Sequence, residues 1–298
     1  MLLSILRIVG TILLLTVFAH ARAAPPEGSA QSEMDRASAA AVAAKIDGPK
    51  AIPLGEQAVL NLPTAFSFIP QREAAAFLHA MGNQTDEGFY GIVIGEKMRG
   101  FVSVRFENAG YVKDDDAKDW NADELLQNLK DGTEAGNEER RQRGIPEFVV
   151  SGWVEKPAYD VATHRLVWSA ELRDKIPPAG GDDTSGANYN TYQLGREGYI
   201  SMNLVTRLAD VNAQKPIAQE LLAALQFNEG KRYTNFDSST DKVAAYGLAA
   251  LVGGIVAKKL GLLAMLGLVL AKFAKVILLA IAGVAIGIRK FFRRKTGA

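Results

Sequence analysis

The chain has 298 residues, with 34 Lys and Arg against 33 Asp and Glu, a formal net charge of +1. Its 48% hydrophobic and 22% charged composition excludes both a disordered polymer and an all-membrane bundle. The lack of Cys excludes disulfides, Cys-ligated zinc, iron–sulfur clusters, a thiol nucleophile and a lipoprotein anchor.

The near-neutrality averages unlike parts. Residues 1–23 carry Arg7 and Arg22 and no acid. Residues 243–298 carry nine basic residues and no acid, which leaves 23 basic and all 33 acidic residues, a charge of −10, for positions 24–242. Asymmetry of this kind is a topology signal.

Residues 1–23 read as a secretory signal peptide, with a short cationic start, an apolar run from Ile8 to Ala19 and an A-x-A site at Ala21-Arg22-Ala23. Residues 24–50 read as a flexible leader with one Ala-rich helix from Met34 to Ile46. An exported domain then spans 51–240. In it, Val59–Leu62 and Phe66–Ile69 are short strands, and Pro70 and Gly82 bracket a helix with Ala74, Phe77, Leu78 and Met81 on one face. Phe89–Ile94 and Phe101–Phe106 are strands. Asn121 and Glu124 form a capping box for a helix with Leu125, Leu126 and Leu129 as its stripe. That helix is expected to fade near Gly132, with a solvated charged run to Arg143. After Pro146 the period changes to two. Phe148–Glu155, Leu166–Leu172, Tyr189–Gly195 and Tyr199–Leu208 are four strands at meander spacing. Pro216 is expected to open a helix with Ile217, Leu221, Leu222 and Leu225 on one face. Strand runs with segregated helices predict an α+β fold, an antiparallel meander sheet with a few packed helices.

A hydrophobic membrane-anchoring segment, 241–288, and a basic cytoplasmic tail, 289–298, complete the chain. The best transmembrane helix is 270–288, whose large apolar residues favour insertion by roughly 3–6 kcal/mol. Lys272 and Lys275 would snorkel at the outer interface. Gly283 and Gly287 offer a small-xxx-small packing face. Arg289, Lys290, Arg293, Arg294 and Lys295 mark the cytoplasmic side. The rival is a hairpin of two spans, 246–268 and 270–288, which would bury Lys258 and Lys259.

No Gly-x-Ser-x-Gly, P-loop, Gly-x-Gly-x-x-Gly or His-Glu-x-x-His motif occurs. The acidic run Asp114, Asp115, Asp116, Asp119 has no EF-hand register, because Lys130 stands where the bidentate acid belongs. No metal and no cofactor are expected, and the −10 domain argues against nucleic acid. One constellation stands out: Trp153, Tyr159, Asp160, His164 and Trp168 on one hairpin, with Asn188 and Arg196 on the next. It reads either as an aromatic core corner or as a groove with polar groups.

The run Gly152-Trp153, Pro157, Tyr159-Asp160, Leu166 and Trp168 resembles the signature of a bacterial family of uncharacterised membrane-anchored proteins. Asn188-Tyr189, Leu194-Gly195-Arg196 and Gly198 fit its next block. Gly230, Arg232-Tyr233, Phe236, Thr240-Asp241-Lys242 and Ala245 to Ala250 fit its membrane-proximal block. The resemblance implies an exported domain and a C-terminal membrane segment, and supplies no activity. Two function classes follow. The first is a binding or accessory domain at the outer face of the bacterial inner membrane, with the lipid bilayer and another envelope protein as partners. The second is a membrane-tethered hydrolase using His164, Asp160 and a hydroxyl from Ser151 or Thr163. A channel subunit built on Lys272 and Lys275 is disfavoured by the lack of an intramembrane acid.

Overall fold

The computed structural model describes residues 27–142, 144–176 and 185–253. The expected signal peptide, the 270–288 span with Lys272, Lys275, Gly283 and Gly287, and the cluster Arg289, Lys290, Arg293, Arg294 lie outside these residues. Among the described residues no helix is long and apolar enough to cross a membrane.

In chain order the elements are α1 (Glu27–Ala43), β1 (Ile46–Asp47), β2 (Lys50–Leu54), β3 (Ala58–Leu62), β4 (Phe66–Pro70), α2 (Gln71–Ala80), β5 (Phe89–Gly95) and β6 (Gly100–Glu107). They are followed by α3 (Ala122–Gln142), β7 (Phe148–Asp160), β8 (Arg165–Asp174), β9 (Gly186–Leu194), β10 (Tyr199–Arg207), α4 (Val211–Ala223), β11 (Leu225–Phe227) and α5 (Ala250–Gly253). Eight strands form one sheet in the order β1-β4-β5-β6-β10-β9-β8-β7, and every pair in it is antiparallel. The sheet is thus two meanders, β4-β5-β6 and β7-β8-β9-β10, joined where β10 pairs with β6. A second sheet, β11-β3-β2, is also antiparallel. The α+β expectation stands.

Two cores flank the large sheet. On one face Ile69, Ile92, Phe101, Leu166, Trp168 and Leu172 pack with Phe77 of α2, Leu125 and Leu129 of α3, and Leu251 of α5. On the other, Phe68, Val102, Met202 and Leu204 pack with Leu221 of α4 and with Leu54 and Leu60 of the small sheet. Side chains alternate along each strand, so each central strand serves both cores.

Several boundaries differ from the sequence reading, for physical reasons. Part of the stretch expected as a flexible leader is α1, which packs on α2 and buries Ala37 and Ala41. Helix α3 does not fade at Gly132. Thr133 and Asn137 continue the buried i, i+4 stripe of Leu125 and Leu129, so the helix keeps one packed face through a polar sequence. Helix α4 starts at Val211 and holds Pro216 inside it. Its first turns are fixed from outside: Gln214 Oε1 accepts from the Arg99 amide at 2.9 Å and Nε2 donates to the Lys97 carbonyl at 3.1 Å. Leu225 lies in β11 and not on the helix, because the chain reverses after Ala224 to pair with β3.

Candidate functional site

The seven predicted residues do not converge. Their hairpin forms as expected, with Asp160 opposite Arg165 and a four-residue turn between them. Asp160 shapes that turn: its carboxylate accepts from the Ala162 amide at 2.9 Å and the Thr163 hydroxyl at 2.6 Å. Those hydrogen bonds hold its pKa below the usual carboxylate range, the Thr163 bond first. His164 closes the turn at φ 54°, a left-handed conformation unusual for a residue with a Cβ.

The backbone turn at His164 places its ring in an aromatic knot. Tyr159 donates to Asp114 Oδ2 at 2.7 Å, and its oxygen lies 3.2 Å from His164 Nδ1. The His164 ring lies against Tyr233 with centroids 4.2 Å apart. Tyr233 stacks on Tyr111 at 4.4 Å, Tyr111 stacks on Phe236 at 3.8 Å, and Tyr233 donates to the Val112 carbonyl at 2.9 Å. Burial pushes the phenols of Tyr159 and Tyr233 well above their ordinary range, so both stay neutral hydrogen-bond donors. Among the described residues no Ser or Thr hydroxyl is hydrogen-bonded to His164. Thr163 is turned to Asp160, and Tyr159 is the hydroxyl that reaches the imidazole. The nucleophile–base geometry of a hydrolase is therefore not assembled at this turn.

Arg196 belongs to a second cluster. Its Nε and Nη2 donate to the two oxygens of Asp241 at 2.7 and 2.8 Å, a bidentate pair. Asp241 also accepts from the Asp237 amide at 2.8 Å. The Arg196 hydrogen bonds, then the Asp237 amide, hold the Asp241 carboxyl far below the usual range. Beside them Lys231 bridges to Glu197 at 2.7 Å, and the Gln57 amide donates to the same carboxylate at 2.8 Å. Trp153 and Trp168 do pair, edge to face at 5.9 Å, but on the sheet face, where Trp153 also donates to the Ala122 carbonyl at 3.0 Å. Asn188 lies on that face too, within β9.

The two clusters are parts of one construction. Residues 228–253 cross the end of the sheet that carries the β7–β8 turn, and they are fastened along their length. Gly195 bridges to Arg232, and Tyr111 pairs in parallel with Val243 through Tyr111 N–Lys242 O at 2.8 Å and Ala244 N–Tyr111 O at 2.9 Å. Asp116 accepts from the amides of Leu248 and Ala249, both at 3.0 Å. Two glycines make the approach possible. A Cβ on Gly110, whose φ is 88°, would lie 2.6 Å from the Lys242 carbonyl, and one on Gly247 would lie 2.4 Å from Asp116 Oδ2. Sequence reasoning named Arg196 and His164 but missed Asp241 beside the first and Asp114 beside the second, and it missed Asp116 and Tyr111 as anchors of residues 228–253. These contacts bridge up to 133 positions, and no local pattern announces them.

Among the described residues no group of three or more His, Asp or Glu side chains is placed to hold a metal ion. The fold and its clasped C-terminal segment define an α+β domain organised around one antiparallel sheet, with side chains spent on holding its own chain. Residues 46–282 match the model of a family described as a protein of unknown function, DUF2167. The chain belongs to that family. No curated protein matches it. Among solved structures, the solution structure of cyanobacterial PsbP from Synechocystis sp. PCC 6803 is similar over 62% of this chain and 91% of that one. Its sequence identity is 10% and its TM-score 0.35.

Proposed function

We propose that this protein is an exported, membrane-anchored binding or accessory domain. It acts at the outer face of the bacterial inner membrane on another envelope protein, with its C-terminus in the cytoplasm. The observation that carries the reading is the clasp. Two carboxylates, Asp116 and Asp241, and a backbone bridge at Tyr111 fix residues 228–253, the stretch that leads into the apolar, acid-free segment. A domain that fixes residues 228–253 leaves no slack in the chain up to residue 253. That matters for a tethered binding module and is irrelevant to a freely diffusing one. The hydrolase alternative gains nothing from the geometry, since Asp160 and Thr163 are bonded to each other in the turn.

Reporter fusions at residue 240 and residue 298 test the topology. The expected result is an external signal at 240 and a cytoplasmic one at 298. An external signal at 298 would contradict the single crossing and favour the two-span hairpin.

A further inference from the structure

Helix α1 precedes every strand of the fold. It packs on α2 and touches β4. At helical spacing its inner face is Met34, Ala37, Ser38 and Ala41. The two alanines are buried, while Met34 and Ser38 are half-buried. The chain is anchored just after the helix. Ile46 and Asp47 pair with Phe68 and Ser67 of β4, and the Gly48 amide donates to the Phe66 carbonyl at 2.9 Å. A swing of α1 about residues 44 and 45 therefore breaks no strand pair.

The contact is poorly matched. Beneath α1 lie Phe77 of α2 and Ile69, Ile92 and Phe101 of the sheet, and against these large side chains the helix sets chiefly two methyl groups. A void of about 20 Å³ remains between Ala41 and Val42 on one side and Ile69, Phe77, Ile92 and Phe101 on the other. That is room for roughly one water-sized group, but the lining is apolar. Ser38 Oγ is buried without a hydrogen-bond partner among the described residues. A serine within a helix ordinarily faces water or bonds back to the carbonyl one turn earlier, and Ser38 does neither. Glu33 and His79 link α1 to α2 across 3.6 Å, with both side chains more than half exposed, which makes a weak tie. Arg36 is spent inside α1, donating to Ser32 Oγ at 2.8 Å. Void, orphaned hydroxyl and exposed ion pair are separate defects of one interface, in a molecule whose other helices seat large apolar side chains.

We propose that α1 is a displaceable cover, and that the groove beneath it docks an amphipathic helix of a partner protein. The groove already seats a helix, so a helix is the occupant its shape takes. The void and the row of large side chains call for more bulk than alanine, so the partner helix carries Val, Leu or Ile at the positions of Ala37 and Ala41. An apolar residue at the position of Ser38 would also remove the orphaned hydroxyl. The groove is closed while α1 covers it, and the partner binds by taking the place of α1. This names the site and the partner chemistry of the binding domain proposed above, and it rests on that reading.

The test is fluorescence anisotropy of a labelled 17-residue peptide that copies Glu27–Ala43 with Ala37→Leu and Ala41→Leu, titrated with the full-length chain in detergent. The expected result is saturable binding with a Kd below about 100 μM, at least tenfold tighter than that of the unsubstituted peptide. A second arm locks the cover. Glu33→Cys with His79→Cys puts two thiols into a chain that has none, at positions exposed enough to leave the fold intact. Joining them with a short bismaleimide holds α1 on α2. The bridged chain should bind the peptide at least tenfold more weakly than the same variant unbridged, in the same detergent. No saturable binding of the leucine peptide, equal binding of the two peptides, or binding undiminished by the bridge overturns the proposal. The reporter fusions read the anchor and not the groove, so a failure of the topology and a failure of this titration are told apart.

Discussion

Asn137 and Gln214 each hold backbone that has no strand beside it. Asn137 is fully buried. Its Nδ2 donates to the Phe148 carbonyl at 2.9 Å and its Oδ1 accepts from the Phe148 amide at 3.2 Å. One side chain thus pairs the outer edge of β7 as a neighbouring strand would, and ties α3 to the sheet. Truncation would orphan both backbone groups. Asn137→Ala is therefore expected to lower stability by roughly 2–6 kcal/mol, at about 1–3 kcal/mol per buried unpaired group. Chemical denaturation measures this, and a change within error of zero would show that the edge is satisfied otherwise. Neither amide was legible in the sequence, because hydrophobic periodicity is blind to buried polar side chains. Arg196 and His164 were legible as unusual residues, but their roles were not. Those roles depend on Asp241 and Asp114, which lie 45 and 50 positions away.

Among the elements, the strands were the most readable. Alternating Val, Ile, Phe and Tyr between turn residues marks β3 to β10 because each is half-buried on both faces. Strand β2, with Pro53 inside it, and the three-residue β11 were not anticipated. Both exist because β3 lies between them, a tertiary cause. The same holds for the 228–253 segment, which has little regular structure and is held by side chains. Arg196→Ala is expected to release it while the sheet stays folded, seen as faster tryptic cleavage after Lys231 and Lys242. Arg196→Lys should rescue only partly, since an ammonium cannot form the bidentate pair. The clasp also has an acid limit. Asp241 is held low in the fold, so its contribution is complete above its unfolded value of about 3.9 and is lost as pH falls below that. Tryptic resistance is unsuited to such acidity. Pepsin cleavage of the segment should appear below about pH 4 before the sheet loses its circular dichroism.

At the scale of the molecule, the charge partition of the sequence predicts a topology that belongs to the proposal above, and what the fold itself shows is the clasp on residues 228–253. The many buried tyrosines set an alkaline limit. Burial pushes Tyr189 up to about 12 and raises Tyr192 and Tyr199 as well. A raised phenol contributes stability fully below its unfolded pKa and loses it as pH rises toward the folded one. The melting temperature should therefore hold to about pH 10 and fall beyond it. A flat profile through that range would mean that the phenols ionise in place.

The central claim is that the domain holds the chain leading to its hydrophobic segment in a fixed position. Amide hydrogen exchange on the full-length protein tests it most directly. The amides of Asp237, Ala244, Leu248 and Ala249, each bonded to the clasp, should exchange as slowly as those at the ends of the large sheet's strands. They should become fast in Arg196→Ala at the 237–244 end first. Exchange of these amides at free-peptide rates in the parent protein would contradict the account.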